Sequence, residues 1–315
     1  MTITAAHTAR APRIRLGMVG GGRGAFIGAV HRIAARIDDQ YELVAGAFSS
    51  DPERAAASAA DLGVARSYGS FAEMAAREAR RRDGIEAVAI VTPNHMHAPV
   101  ALQFLRRGIH VICDKPLTAT LPEAKRLAKA ARASGVVFAL THNYTGYPMI
   151  RQAKAMVAAG DLGDIRLVQV EYAQDWLAEP LEASGQKQAD WRTDPARSGL
   201  GGATGDIGTH AFNLANFVTG LTLEALAADL QSFVPGRRVD DNGHVLMRYT
   251  SGARGMLWCS QVASGQENGL RLRVYGSKAG LEWQQENPNH LWITPLGAPR
   301  YRLTRGGPGL SLIHI

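Results

Sequence analysis

Three groups of side chains in this 315-residue chain could do chemistry. The first centres on Lys115, which closes the apolar run Ile109-His110-Val111-Ile112-Cys113-Asp114 and stands before Pro116. Such a run reads as a buried parallel strand, and open α/β sheets take ligands in the crevice beyond the carboxyl ends of their strands. Pro116 disfavours helix at the preceding residue, so the lysine is offered extended to that crevice. The second group is Asp206 and His210, four apart in Gly205-Asp206-Ile207-Gly208-Thr209-His210 and running into the helical stretch Ala211 to Val218. That spacing predicts both side chains on one helix face. A histidine beside a carboxylate, facing a lysine, suits alcohol oxidation, in which a hydroxyl proton must leave as hydride leaves carbon. Each group also has a plainer reading, as an idle strand-end ion pair or a helix-capping pair. The Asp/His pair lacks a third metal ligand, and no metal is expected.

The third group is a glycine turn. The strand Ile14 to Val19 ends in Gly20-Gly21-Gly22-Arg23-Gly24-Ala25, and a helical segment, Phe26 to Arg36, follows. This fits the dinucleotide fingerprint G-x-G-x-x-G/A in its proper strand-turn-helix context. The expected physics is a tight turn at Gly20, close approach of backbone to pyrophosphate at Gly22, and helix packing at Ala25, with Arg23 and Gly24 also near the cofactor. A second strand, Tyr41 to Phe48, ends in Ser49-Ser50, with Arg54 one turn further on. An acidic side chain there would select a free ribose 2′-hydroxyl; serines with Arg54 and Arg23 nearby tolerate a 2′-phosphate, which leaves NAD and NADP both open. The serines serve equally well as helix caps before Asp51-Pro52. The strand Ile85 to Val91 ends in Thr92-Pro93-Asn94, which places these residues in the crevice with Asp114 and Lys115. His95 and His97 are expected to pack on the cofactor side.

The elements that position these groups follow from patterning. Capping boxes at Ser70/Glu73 and Thr120/Glu123 start helices, the first reaching Arg82 and the second Ser134, and Val136 to Leu140 is a further strand. Strands alternating with helices predict a doubly wound parallel sheet. After His142 the pattern changes to a helix from Tyr147 to Ala159, an alternating strand from Ile165 to Tyr172, and a long polar loop holding Asp190-Trp191-Arg192. Strand-like runs then recur at Leu226–Phe233, His244–Tyr249, Arg254–Gln261, Leu270–Tyr275 and Gly280–Trp283 without helices between them. They predict an α+β domain with a mostly antiparallel open sheet. The length fits two domains at roughly 150 residues each, and the 46% hydrophobic content can fill their cores. No run nears the ~18 apolar residues of a membrane span. Residues 1–13 lack a signal-peptide core and are expected to be a disordered tail. Only Cys113 and Cys259 are present, which points to a reducing, cytoplasmic compartment. The net charge of +7 is spread over scattered arginines, a solvated basic surface with neither a nucleic-acid nor a membrane partner.

From Ile14 to about Trp283 the chain resembles the glucose-fructose oxidoreductase, inositol dehydrogenase and MocA (Gfo/Idh/MocA) family. The resemblance rests on the glycine turn, Thr92-Pro93-Asn94, Asp114-Lys115-Pro116 where the family usually has Glu-Lys-Pro, and Gly205-Asp206-Ile207-Gly208-Thr209-His210. It implies a Rossmann domain over 14–142 and an α+β substrate and oligomerisation domain over 143–315, whose open sheet often joins dimers or tetramers. It also implies a nicotinamide-dependent sugar, polyol or cyclitol dehydrogenase. By the same resemblance Lys115, Asp206 and His210 are the catalytic set, with Tyr144, Trp191 and Arg192 near the substrate. Asn213, also on the substrate side, stands where inositol dehydrogenases tend to carry aspartate. The ending Gly306 to Ile315 does not look like a family ending, which points to a truncated or altered carboxyl terminus. Two other readings stay in view: an NAD-dependent glycosidase, which some relatives are, and a cofactor-sensing protein without turnover.

Overall fold

The computed structural model describes residues 12–308, so most of the expected tail and most of the unusual ending lie outside the described residues. The chain forms two compact units, Met1–Thr141 and His142–Ile315. The first holds six parallel strands, β1 (Ile14–Gly20), β2 (Tyr41–Ala47), β3 (Arg66–Ser67), β4 (Ala87–Val91), β5 (His110–Asp114) and β6 (Phe138–Thr141). Parallel neighbours need crossovers, supplied by α1 (Phe26–Ile37), α2 (Pro52–Asp61), α3 (Phe71–Glu78), α4 (His97–Leu105) and α5 (Leu121–Ser134). The order β3-β2-β1-β4-β5-β6 reverses between β1 and β4, which opens the crevice at their carboxyl ends. β4 is buried along its whole length, hence its unbroken apolar run. Helix starts are set by side chains: Asp51 accepts from the Arg54 N–H, Ser70 from Glu73 and Thr120 from Glu123.

The doubly wound sheet expected from the sequence is present, with two differences. The two-residue β3 is too short to leave a periodic signal. α3 stops at Glu78 rather than at Arg82, because Glu78 is buried and its carboxylate is used by the chain on either side. It accepts from Arg66 Nε at 2.8 Å, Tyr68 Oη at 2.6 Å and the Ile85 N–H at 3.0 Å. Burial and the bond to Glu78 push the Tyr68 phenol up to about 12.

The second unit is built on an eight-stranded sheet. Its elements in chain order are α6 (Pro148–Ala158), β7 (Ile165–Ala173), α7 (Lys187–Arg192), α8 (Pro195–Ser198), α9 (Thr209–Thr219), β8 (Leu223–Gln231), β9 (Asn242–Tyr249), β10 (Arg254–Ser260), β11 (Gly269–Gly276), β12 (Ala279–Gln284), β13 (His290–Pro295) and β14 (Tyr301–Thr304). The order is β14-β13-β12-β11-β7-β10-β9-β8, with β7 and β10 parallel and the other pairs antiparallel. Met149, Ile150, Leu214 and Val218 of α6 and α9 bury one sheet face with Val168, Met247, Leu257, Leu272 and Trp283. The opposite face is open: Leu167, Leu246 and Met256 are 48%, 63% and 51% exposed. The mostly antiparallel open sheet therefore matches expectation, while β13, β14 and the short helices α7 and α8 were not foreseen. α7 has six residues and takes its cap from Gln186, outside the usual capping residues.

A buried ion pair ties two loops of this unit together. The Arg237 guanidinium, 1% exposed, bonds Asp241 Oδ2 at 3.2 Å and Glu182 Oε1 at 3.0 Å. It also donates to the Leu177 carbonyl at 2.8 Å. Among the described residues, no helix is long and apolar enough to cross a membrane.

Candidate active site

In the first unit the glycine turn leads directly into α1. Gly20, Gly21 and Gly24 have φ of 82°, 73° and 72°, a left-handed region costly for side chains. A Cβ on Gly28 would lie 2.4 Å from Gly21 Cα, so the close packing of helix on turn occurs at Gly28 and not, as expected, at Ala25. Ala25 is the N-cap and brings no side-chain acceptor, and no acidic residue lies in the first turn of α1. A helix start of this kind fits a pyrophosphate, so the turn suits a dinucleotide. Glycine at position 22 has a further reason, within the protein itself. A Cβ there would lie 2.7 Å from Ser58 Oγ and 2.8 Å from the Phe48 carbonyl oxygen, so protein packing already excludes a side chain. Arg32, which no sequence pattern marks, donates to the Gly21 carbonyl at 2.8 Å and holds the turn from α1.

The residues expected around the adenosine are more occupied than foreseen. Asp61 of α2 takes the Arg23 guanidinium through two hydrogen bonds, one of 2.7 Å. Ser49 Oγ accepts from the Asp51 N–H at 3.1 Å in the turn ahead of α2, whose N-cap is Asp51 rather than either serine, while Ser50 and Arg54 are exposed. Past β4, Thr92 and Pro93 are half-buried and Asn94 is buried. His97 is a strut. Its ring nitrogens lie 2.7 Å from the Pro116 carbonyl oxygen and 3.0 Å from that of Thr92, joining the turns that follow β4 and β5. Burial pushes the His97 pKa down. His95, half-buried, precedes it.

Asp114 has partners of its own within the unit. Its Oδ1 accepts from the Lys115 N–H at 3.0 Å and from Thr141 Oγ1 at 2.8 Å, with His31 Nε2 at 4.0 Å. Burial alone would raise its pKa, but His31, Thr141 and the Lys115 charge together hold it below the usual carboxylate range. An ionised Asp114 thus fixes the backbone from which Lys115 extends.

In the second unit the residues before His210 depart from a regular helix. Thr204–Gly208 form a wide π-helical turn, and α9 begins at Thr209. Asp206 therefore sits on a widened turn and His210 in the first turn of α9, rather than both on one continuous α-helical face. Such turns occur frequently at functional sites. The segment is clamped from outside by Asp240, which accepts from the Gly202 N–H at 2.8 Å, the Thr204 N–H at 2.7 Å and Thr204 Oγ1 at 2.9 Å. Asp206 Oδ2 accepts from Gln261 Nε2 at 3.0 Å, and Arg192 Nε lies 3.4 Å from the same oxygen. Arg192 covers the Trp191 ring at 4.2 Å, and its Nη1 donates to Gln188 Oε1 at 2.6 Å. Buried His210 faces the rings of Tyr144 at 4.9 Å, His142 at 5.6 Å and Tyr172 at 6.2 Å. Asn213, half-buried, lies on α9 one turn past His210.

The second unit thus joins Tyr144 to His210, and Trp191 through Arg192 to Asp206. Gln261, Asp240, His142 and Tyr172 were missed. Tyr172 reads in sequence as an ordinary inward strand residue, and Gln261 and Asp240 act across 55 and 36 residues of chain. Among the described residues, no cluster of three or more histidines, cysteines and carboxylates could hold a metal ion.

Comparison with known proteins gives concordant matches for the two parts of the chain. Residues 14–142 match the oxidoreductase family with an NAD-binding Rossmann fold, and residues 150–282 match the GFO/IDH/MocA C-terminal domain. The uncharacterized oxidoreductase YfiI of Bacillus subtilis (strain 168) is 39% identical over 303 residues, 95% of this chain and 77% of that protein. The crystal structure of an oxidoreductase from Sinorhizobium meliloti is 61% identical, with a TM-score of 0.86 over 96% of this chain and 80% of that one. An inositol dehydrogenase homolog from Azotobacter vinelandii, crystallised with NAD+, is 42% identical, with a TM-score of 0.92 over 95% of this chain and 78% of that one.

Proposed function

The chain belongs to the Gfo/Idh/MocA family of NAD-binding oxidoreductases, and we propose that it moves hydride between NAD and a secondary alcohol or ketone of a sugar, polyol or cyclitol, with Lys115, Asp206 and His210 as its catalytic residues. The observation that supports this most is the fixing of Asp206 by Gln261 and Arg192 just ahead of a ring-walled His210. In the first unit, Lys115 is anchored by Asp114 at a strand end of the sheet that carries the dinucleotide turn. Bound nicotinamide supplies a hydride acceptor. His210 takes the proton of the reacting hydroxyl, the Lys115 ammonium donates to the same oxygen as negative charge develops, and Asp206 orients substrate and imidazole. Tyr144, Trp191, Arg192 and Asn213 line the substrate. The bidentate hold of Asp61 on Arg23 favours NAD over NADP, since that guanidinium already has an anionic partner.

A screen of polyols and aldoses with NAD and with NADP tests the reading. Net formation of reduced nicotinamide on a free polyol, faster with NAD, is expected. Cleavage of glycosides without net reduced cofactor would instead assign the protein to the NAD-dependent glycosidases, and tight cofactor binding without any turnover would make it a sensor. Its two cysteines, Cys113 and Cys259, are buried free thiols, in keeping with a cytoplasmic enzyme.

The open sheet face is the proposed contact between copies of the chain in a homodimer or homotetramer. Leu246 of β9 pairs in register with Met256 of β10, and Leu167 of β7 with Arg254. Beside this apolar half runs an ion-pair ladder, Glu171 with Arg271 and Arg273, then Glu282 with Arg271 and Arg300. An apolar half beside paired charges of both signs suits an isologous contact about a two-fold axis. Light scattering should give the mass of a dimer or tetramer, and the double variant Leu246→Asp/Met256→Asp should be a folded monomer. A monomeric wild-type protein would remove the proposal.

A further inference from the structure

We infer that Tyr172 and Asn268 are positioning residues for His210, acting through Tyr144; the inference rests on the assignment of His210 as the base. β7 and β11 are antiparallel, and Tyr172 and Ala173 at the end of β7 pair with Leu270 and Gly269 at the start of β11. That register sets the Tyr172 side chain beside Asn268, the residue just before β11. Tyr172 Oη lies 2.6 Å from Asn268 Oδ1 and 2.5 Å from Tyr144 Oη. Asn268 Oδ1 also accepts from Gln174 Nε2 at 3.0 Å, which fixes the amide with its oxygen toward both donors.

The direction of the whole chain follows. A phenol has one proton to give. Tyr172 gives its own to Asn268, so the contact between the two phenols requires Tyr144 to donate to Tyr172. The hydroxyl of Tyr144 is thereby committed, and its ring is held edge-on to the imidazole of His210, 4.9 Å between centroids at an interplanar angle of 78°. The two tyrosine rings themselves meet at 86°. Tyr172 is 3% exposed, so a partner lost here is not replaced by bulk water. Burial first, and then the Tyr144 phenol beside it, push the Tyr172 pKa far up, so Tyr172 keeps the proton it gives to Asn268.

The rings that face the imidazole are those of His142, Tyr144 and Tyr172, while Asp206, on the turn before α9, is paired with Arg192 of α7. Two of the three ring walls are cross-linked by hydroxyls and moored to β11 by a neutral amide. A wall so moored keeps the imidazole in one orientation. Cut loose, it lets the ring and its proton-accepting nitrogen wander from the direction that the reaction requires.

Three variants test the inference: Tyr172→Phe, Asn268→Leu and Asn268→Asp. The imidazole resonances of His210 in the cofactor-free protein need no turnover, so they report on the positioning even if the dehydrogenase reading fails. Kinetics on the polyol found in the screen report on both. Tyr172→Phe and Asn268→Leu should shift the His210 resonances and lower kcat by about tenfold, as loss of one buried hydrogen bond allows, with KM and NAD affinity within about twofold. The double variant should be no worse than the more impaired single one, because both cut one chain. Asn268→Asp keeps the acceptor and adds negative charge, which favours the imidazolium; kcat should be largely retained, while the His210 titration and the acid limb of kcat/KM both move to higher pH. Unchanged His210 resonances and titration in folded Tyr172→Phe and Asn268→Asp proteins would overturn the inference, whatever becomes of Asn268→Leu. Altered resonances with no polyol turnover in the wild type would keep the positioning and discard the dehydrogenase reading.

Discussion

Replacing His210 by alanine, or Lys115 by methionine, should each lower kcat by about 10²–10⁴-fold, the usual worth of positioned acid–base assistance, while NAD affinity changes little. His210→Ala removes the acceptor for the hydroxyl proton, which must then pass to water as hydride leaves. Lys115→Met keeps the length of the side chain and the backbone held by Asp114, and removes only the ammonium that steadies the oxygen. Both residues are proposed to act on one oxygen in one transition state, so the double variant should fall well short of the product of the single effects. The measurement is kcat with protiated and deuterated substrate. A His210→Ala enzyme with wild-type kcat, and an isotope effect showing hydride transfer to be rate-limiting, would remove histidine from the role of base.

Gly22→Val should raise the dissociation constant for NAD by about tenfold or more, a change of about 1.4 kcal/mol, and lower stability by roughly 1–3 kcal/mol. The cause lies in protein packing. Even a Cβ would stand 2.7 Å from Ser58 Oγ and 2.8 Å from the Phe48 carbonyl oxygen, so the turn must move away from β2 and α2. It would take with it the Arg23 N–H, which donates to Ser58 Oγ at 3.1 Å, and the approach to the first turn of α1. Gly22→Val/Ser58→Ala relieves part of the crowding and should recover part of the affinity. Fluorescence titration with NAD and urea unfolding give the two numbers. A folded Gly22→Val protein of unchanged affinity would show that the turn can yield without cost to the cofactor.

The contrast between these two cases shows what a sequence can carry. Lys115 was legible because a strand, its end and a proline are neighbours in the chain, and the spacing of Asp206 and His210 was legible for the same reason. The dinucleotide turn was legible as a motif, yet the reason for one of its glycines was not, since Ser58 is 36 residues away. The same limit hid the partners of the carboxylates. Nothing local marks Gln261 as the donor to Asp206, Asp240 as the clamp on Gly202 and Thr204, or Asn268 as the mooring of Tyr172. His97 looked like a residue at a ligand because it follows a strand-end motif; only folding shows its ring filled by the Thr92 and Pro116 carbonyls. Elements shorter than one period, such as β3, or started by an unusual cap, such as α7, leave no pattern to read.

The wide turn at Thr204–Gly208 bears on how this segment can change over generations. Side chains along a regular helix advance about 100° per residue, from 3.6 residues per turn. The angle between the Asp206 carboxylate and the His210 imidazole is therefore set by the number of peptide units between them and by the extra width of the turn, and hardly at all by Ile207, Gly208 or Thr209 as such. Loss of one codon in this stretch would let the helix regularise and would swing the carboxylate away from Gln261 and Arg192. A substitution here leaves the count of peptide units intact, whereas an insertion or deletion changes that angle at once: the geometry is written into the length of the chain.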